Sequence, residues 1–374
     1  MRADKRHSFW NRLLRKRGAL LSLTIILFTV FVALFAYFLA PDNTPYGNRM
    51  IIELGARQPG FKKDVLLVPR NVRQSQPSFV AGWLAGRPSD YDHVPINGYW
   101  FSGDSMHVRH YIDEGLEDTL SYGLAALLRY KTVSRDPSDQ RKLIEKEMVT
   151  SRQFILGTDR YGRDILSRLI IGSRVSISVG LVAVILSLTI GIVLGSFSGY
   201  FGGWVDNLVM WFINILWAIP TLLLVFAITL TIGKGFWEIF VAIGLTMWVG
   251  AARLIRGQVL VLREMDYVTV ARALGLSDFR IIFRHILPNI AGPIMVIAAG
   301  NFATAILIEA GLSFLGIGVQ PPMPSWGLMI KEHYNFLLTN RPMLAIIPGL
   351  AIMVLVYAFN VLGNALRDVL DVKS

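Results

Sequence analysis

The chain has no cysteine, which excludes structural disulfides and thiolate metal sites while leaving the compartment open. It has no G-x-x-x-x-G-K-[ST] run either: its one Gly-Lys pair, Gly233-Lys234, is followed by Gly235 and lacks the preceding glycine. No ATP site is therefore expected on this polypeptide. There is no H-E-x-x-H, no zinc-ligand spacing and no G-x-S-x-G elbow, and the six histidines are scattered. No catalytic, cofactor-binding or metal-binding residue is assigned.

Charge is also missing from long stretches, and that absence sets the class. Of 374 residues 53% are hydrophobic and only 17% charged, with a mean hydropathy of +0.49. This composition belongs to a membrane protein and puts soluble enzymes at a disadvantage. The net charge of +11 is read as basic segments facing the cytoplasm and anionic lipid, with no nucleic-acid partner.

Seven basic residues (Arg2, Lys5, Arg6, Arg12, Arg15, Lys16 and Arg17) stand against Asp4 before an uncharged window from Gly18 to Pro41. At 1.5 Å per residue such a window crosses a hydrocarbon core of about 30 Å. The bulky residues before Ala36 and Ala40 do not suit a signal-peptide cleavage site, so the window is read as an uncleaved helix with its cytoplasmic end first. The expected division is a basic cytoplasmic tail over 1–18, a membrane helix over 19–40, an extracytoplasmic insertion over 41–173 and a core with five membrane helices over 174–374. Within the insertion, Pro41 to His110 reads as loops with short strands, whereas Glu114 to Tyr130 and Pro137 to Phe154 have helical patterning. The insertion either contacts an external protein or is a lineage-specific decoration.

From Leu156 the chain reads LGTDRYGRDILSRLIIG. Thr158 or Asp159 suits a helix cap, and Asp164 and Arg168 stand at i, i+4 for an ion pair. The stretch is either a lead-in to the next membrane helix or a ligand contact. Arg160, Arg163, Arg168 and Arg174 run against the positive-inside tendency, which long loops escape.

Val175 to Val205 carries no charge, and Gly191, Gly195 and Gly199 repeat every four residues. That stripe permits close contact with a neighbouring helix, the alternative being a ligand path. Asn207 to Ile232 crosses next with Pro220 at its middle, a candidate bend. Lys234 and Glu238 mark a short external link, and Phe236 to Ala252 is the shortest crossing, ended by Arg253 and Arg256. The fifth crossing, Asn289 to Leu315, holds Asn301, Thr304 and Glu309. Glu309 falls near the outer mouth, lining a substrate entrance or pairing with a local donor; Asn214 and Asn301 are the other candidates for a substrate pathway. Pro321, Pro322 and Pro324 predict a stiff external loop. A sixth crossing, Met343 to Leu366, returns the chain to the cytoplasm near Arg367, Asp368 and Lys373.

Between the fourth and fifth crossings lies DYVTVARALGLSDFRIIFRHILP, from Asp266 to Pro288. It is too short and too charged to span. Asp266 suits an N-cap, Tyr267, Val270, Ala271 and Leu274 share one face, and Gly275 suits a left-handed stop. Ser277 and Asp278 open a second helix with Phe279, Ile282, Phe283 and Ile286 on one face and Arg280 and Arg284 on another. The expectation is a stiff basic helix-turn-helix stub in a cytoplasmic loop over 253–288. It either receives a soluble partner or rests on lipid headgroups.

These residues resemble the signature of ABC importer permeases, in which an Ala-rich turn and a glycine are followed at a set distance by Leu-Pro. Ala271, Gly275, Leu287 and Pro288 match, while Thr269 and Val270 replace the acid and first alanine of the pattern. The runs ARALG, RHILPN, LGTDRYGRD and GLSFLGIGVQPPMPSWG are similar to the dipeptide/oligopeptide branch, C-type subunit. The resemblance implies an all-α polytopic protein with six transmembrane helices in the type I (MetI-like) fold, in a bacterial inner membrane with both termini cytoplasmic. It implies ATPase coupling through Ala271, Arg272, Ala273, Leu274, Gly275, His285, Leu287 and Pro288. The implied partners are a second homologous but non-identical permease, two ABC ATPases and an extracytoplasmic binding protein that delivers peptides; nickel complexes and peptide antibiotics are the alternative cargo. An ion-coupled transporter would call for paired acids or broken helices at the midplane, and a membrane enzyme for a reactive constellation in the insertion. Neither stands out in the sequence.

Overall fold

A computed structural model describes residues 11–131, 136–233, 235–339 and 341–371. The sequence readings that rest on Arg2, Asp4, Lys5, Arg6, Lys234 and Lys373 fall outside the described residues. The chain forms two compact units. One holds Ser173–Glu332 with the chain up to Ala33 and from Ile346 onward; the other holds Leu34–Gly172 and His333–Ala345.

The first unit is helical. Among the described residues five helices are long and apolar enough to cross a membrane: Arg17–Leu34, Ile165–Phe201, Phe236–Arg263, Ala291–Leu315 and Met343–Leu370. A sixth crossing exists only if Gly203–Trp217 and Thr221–Ile232, bent by 93° from one another, are counted as one broken span. Helix is the form that lets such apolar segments satisfy every backbone group internally. At Pro220 the missing N–H and the ring's clash with the preceding turn end one helix, and Thr221 starts the next. The expected kink is thus a complete break.

Phe236–Arg263 is the most enclosed of these helices. It runs on to Arg263 rather than stopping at Ala252, so Arg253 and Arg256 lie inside a helix and not in a loop. Its buried residues Ile239, Phe240, Ala242, Ile243 and Met247 pack with Val179, Ala183, Ala305 and Leu312 into one apolar cluster.

The second unit overturns the all-α expectation. It contains a five-stranded antiparallel sheet, β1 (Phe61–Pro69), β2 (Tyr91–Ser102), β3 (Ser105–Asp113), β4 (Leu116–Gly123) and β5 (Val149–Phe154), in the order β4-β3-β2-β1-β5. Residues predicted helical from Glu114 to Tyr130 are mostly the edge strand β4 followed by a short turn of helix, Leu124–Leu127. Of the second helical prediction, Pro137–Glu147 is helix, with Asp136 capping it by accepting from the Ser138 amide, but Val149–Phe154 is strand.

Each face of the sheet has its own cover. Leu66, Ile96, Met106 and Val108 meet Leu124, Leu127, Ile144 and Met148 on one side. Val65, Tyr111 and Phe154 meet Ile51 and Leu54 on the other.

The LGTDRYGRD run holds that second cover in place. Thr158 Oγ1 donates to the Leu54 carbonyl and accepts from the Arg57 amide, both buried. Gly162 has φ +72°, and an added Cβ would lie 1.7 Å from the Ile51 carbonyl oxygen, so only glycine fits. Asp159 is fully buried and accepts from the amides of Tyr161 and Arg163 and from Arg163 Nε at 2.5 Å; the buried Arg168 stands 3.9 Å away. The cap of the Ile165–Phe201 helix is Asp164, which accepts from the Ser167 amide at 2.8 Å. Removing the Asp159 charge would leave Arg163 buried without its nearest carboxylate. Asp159→Asn is therefore expected to lower stability by about 3–5 kcal/mol, read as earlier loss of protease resistance in 34–172 on heating; an unchanged profile contradicts this account.

Candidate functional site

The stub begins where Phe236–Arg263 ends. Asp266–Ala273 forms its first helix, with Met265 rather than Asp266 at the N-cap and no side-chain cap. Gly275 has φ +76°. The Leu276 amide donates to the Ala271 carbonyl at 3.2 Å and the Gly275 amide to the Arg272 carbonyl at 2.9 Å. These two bonds make a Schellman stop, which requires a residue tolerant of the left-handed conformation.

The second half is less regular than the spacing predicts. Asp278–Ile281 is α-helical, Ile282–Ile286 is a π-turn and Leu287–Asn289 a 3₁₀ turn. The wider π-turn shifts the buried face. Val268, Ala271, Ile281, Ile282 and Ile286 are enclosed with Tyr200, Ile255, Val259 and Ile290. Of the predicted inward faces, Ala271, Ile282 and Ile286 do point in. Leu274 is 74% exposed, Phe279 60%, Val270 56% and Phe283 50%, and the rings of Phe279 and Phe283 lie parallel at 6.5 Å.

Among the coupling candidates, Ala273, Leu274, Gly275 and Pro288 are exposed, His285 and Leu287 are half-buried, and Arg272 keeps surface exposure while bonding inward. Asn289 Nδ2 donates to the His285 carbonyl at 2.7 Å and to Tyr267 Oη at 3.3 Å, joining the stub's two halves.

The sequence reading missed Tyr200, the residue that ties the stub to the helix behind it. Its hydroxyl donates to Asp278 Oδ1 at 2.7 Å and accepts from Arg272 Nε at 3.2 Å. The Arg272 guanidinium also lies over its ring at 4.8 Å. One phenol thereby holds both halves of the stub. Nearby, Asp206 forms a two-point pair with Arg256 at 2.5 and 2.6 Å and accepts from Ser198 Oγ, while Arg263 Nη1 donates to the Gly199 carbonyl at 3.0 Å.

The glycine stripe faces the same helix. An added Cβ would lie 2.7 Å from Ala251 Cβ at Gly191, 2.5 Å from the Ala252 carbonyl at Gly195 and 2.8 Å from the Arg256 carbonyl at Gly199. Backbone meets backbone along this seam, and the stub hangs from its end.

The pathway candidates do not come together. Asn301 and Thr304 line a 220 Å³ cavity beside the broken helix, with Trp217, Ile219, Thr221, Thr246 and Gly250. Asn301 also donates to Ser187 Oγ at 3.2 Å. Asn214 accepts from Arg253 Nη2 at 2.9 Å instead. Glu309 is fully buried and accepts from Ser313 Oγ at 2.6 Å, so it meets a local donor and not the cavity.

Residues 191–373 match the family described as binding-protein-dependent transport system inner membrane component, and residues 6–59 match the N-terminal TM domain of oligopeptide transport permease C. The glutathione transport system permease protein GsiD of Pectobacterium atrosepticum is 42% identical over 218 residues, 58% of this chain and 72% of that protein. The oligopeptide transport system permease protein OppC of Bacillus subtilis is 40% identical over 240 residues, 64% of this chain and 78% of that protein.

The chain belongs to the binding-protein-dependent transport permeases.

Among solved structures, the inward-facing MetNI methionine ABC transporter aligns with a TM-score of 0.45 and 18% identity, covering 55% of this chain and 97% of that one. The permease's stub contains no nucleophile and base aligned for chemistry; what it offers is a braced surface. Replacing Tyr200 by Phe removes both hydroxyl bonds and is expected to cost about 1 kcal/mol locally. Hydrogen exchange should then quicken at Ala271–Ile282 and stay unchanged in the β-sheet; equal protection in both proteins would count against the brace.

Proposed function

We propose that this chain is a transmembrane permease subunit of an ATP-driven peptide importer, and that its stub is the surface on which an ATPase subunit docks. The observation that carries the second point is the exposed apolar set Val270, Leu274, Phe279 and Phe283, held outward on an element whose other face is packed into the protein. Exposed apolar side chains on a braced support suit a protein partner better than headgroups, which a basic mobile hairpin would serve. The names of the relatives, permeases for glutathione, oligopeptides and dipeptides, support a peptide cargo. ATP hydrolysis lies on separate subunits, in keeping with a sequence that has no phosphate loop.

In this reading the fold is of the type I, MetI-like kind, with the broken pair counted as one of six crossings. The stub and both termini face the cytoplasm, and residues 41–173 form an extracytoplasmic insertion. The translocation path is completed by a second, non-identical permease, and a binding protein delivers the peptide. Two ATPases closing on ATP pull the stub, and Tyr200, the Asp206–Arg256 pair and the glycine seam carry that pull into the membrane helices.

The exposed Leu274 beside the left-handed Gly275 is the expected anchor. Leu274→Asp should weaken co-purification with the partner ATPase subunits by about 30-fold, the loss of a contact of about 2 kcal/mol. Gly275→Pro, whose φ is fixed near −65°, should insert normally yet abolish uptake and coupled hydrolysis. Normal uptake by both variants with ATPases still attached would sink the docking assignment.

A further inference from the structure

The sheet-bearing unit encloses a cavity of 350 Å³ lined by Asp42, Arg49, Ile51, Thr150, Arg152 and Asp164 among others. Its size falls in the range of roughly 300–1,000 Å³ typical of small-molecule clefts. Pairing decides what it can take.

Arg152 sits in β5 opposite Lys63 of β1, on the same sheet face as Thr150 and Phe154 because side chains alternate along a strand. That face is the one covered by Ile51 and Leu54, which leaves the guanidinium half-buried beneath the cover. Its one contact at hydrogen-bond distance among the described residues is His93 Nε2 at 3.3 Å, and its Nε has no partner. Arg49 also has an unpartnered Nε, although its Nη2 stands 3.3 Å from Asp42.

The two acids in the lining are already committed. Asp42 accepts from the amides of Thr44 and Arg49 at 3.1 and 3.0 Å, and Asp164 accepts from the amide and hydroxyl of Ser167. Both acids of the lining thus already have donors, whereas Nε of Arg49 and Nε of Arg152 are buried with no acceptor. His93 adds no charge, since burial and the nearby Arg49 and Arg152 push it down to about 3.

A half-buried guanidinium with free donors, next to a second one, is satisfied by a planar two-oxygen acceptor. The ring and methylenes of Phe154, Pro41 and Ile51 at the same cavity suit an organic body better than an inorganic ion. We propose that this cavity binds the carboxylate of a small organic acid, with Arg152 as its principal ligand and Arg49 as the second. The site is independent of the stub and of ATPase docking, and its test stands whether or not that reading holds.

The test uses the full chain in lipid nanodiscs and isothermal titration calorimetry with three probes: N-acetylalanine, N-acetylalaninamide and inorganic phosphate. N-acetylalanine is expected to bind saturably and the uncharged amide at least about tenfold more weakly, the scale of one charge-assisted hydrogen-bond pair. Arg152→Gln should abolish binding, Arg49→Gln should weaken it, and Arg152→Lys, which keeps the charge as a folding control, should retain part of it. Equal binding of acid and amide, or undiminished binding by folded Arg152→Gln, overturns the site. Binding of phosphate with none of N-acetylalanine overturns the carboxylate assignment.

Discussion

Everything mechanical in this permease depends on how closely two helix backbones approach. Where Gly191, Gly195 and Gly199 meet Ala251, Ala252 and Arg256, any side chain larger than hydrogen would overlap its neighbour. Helices in lipid gain nothing from merely being apolar toward one another, so this intimacy supplies dispersion contact that leucines would not. The polar contacts gather at the end of the same seam, where Arg256, Arg263 and Tyr200 lock it to Asp206, Gly199 and the stub. In the proposed coupling, a displacement of the stub would pass to this matched pair of rods and not be absorbed by soft side chains.

The sheet-bearing unit solves a different problem. Its strand β4 is exposed along most of its length. Stability comes from covering both faces, one with Pro137–Glu147 and the Leu124–Leu127 turn, the other with the 51–57 segment that Thr158, Asp159 and Gly162 fasten down. The buried Asp159–Arg163 pair closes its own loop, and the Thr158 hydroxyl and Asp159 carbonyl of that loop bond to the 51–57 segment.

The membrane-length helices were legible because lack of charge over a bilayer's length has one physical outcome. The stub was legible as far as Gly275, whose left-handed stop is written in local chemistry. Its second half was not, since a π-turn from Ile282 to Ile286 interrupts the helical spacing and Phe279 and Phe283 stand exposed. Strand β4 was misread because Leu116, Leu120, Leu124 and Leu127 fall at helical intervals, while the pairing partner that makes 116–123 extended lies in β3. Tyr200 carries no local signal: its partners, Arg272 and Asp278, are distant in sequence and adjacent only after folding. The Arg152 cavity was invisible for the same reason, being assembled from three separate stretches of chain.

The right-angled break between Trp217 and Thr221 has an implication for stoichiometry. Around Pro220 the helical ladder is interrupted, and the carbonyls that end one half and the amides that begin the other have no intrahelical partners. Hydrocarbon offers none either, so bare backbone of this kind survives at membrane depth only against protein or water. The cleft holding Asn301, Thr304 and Thr246 gives it a polar flank on one side, while Trp204, Trp211, Phe212 and Leu223 stand uncovered along the two broken halves. In the proposed assembly the second permease would cover that elbow, so that the bend and the pairing would depend on one another.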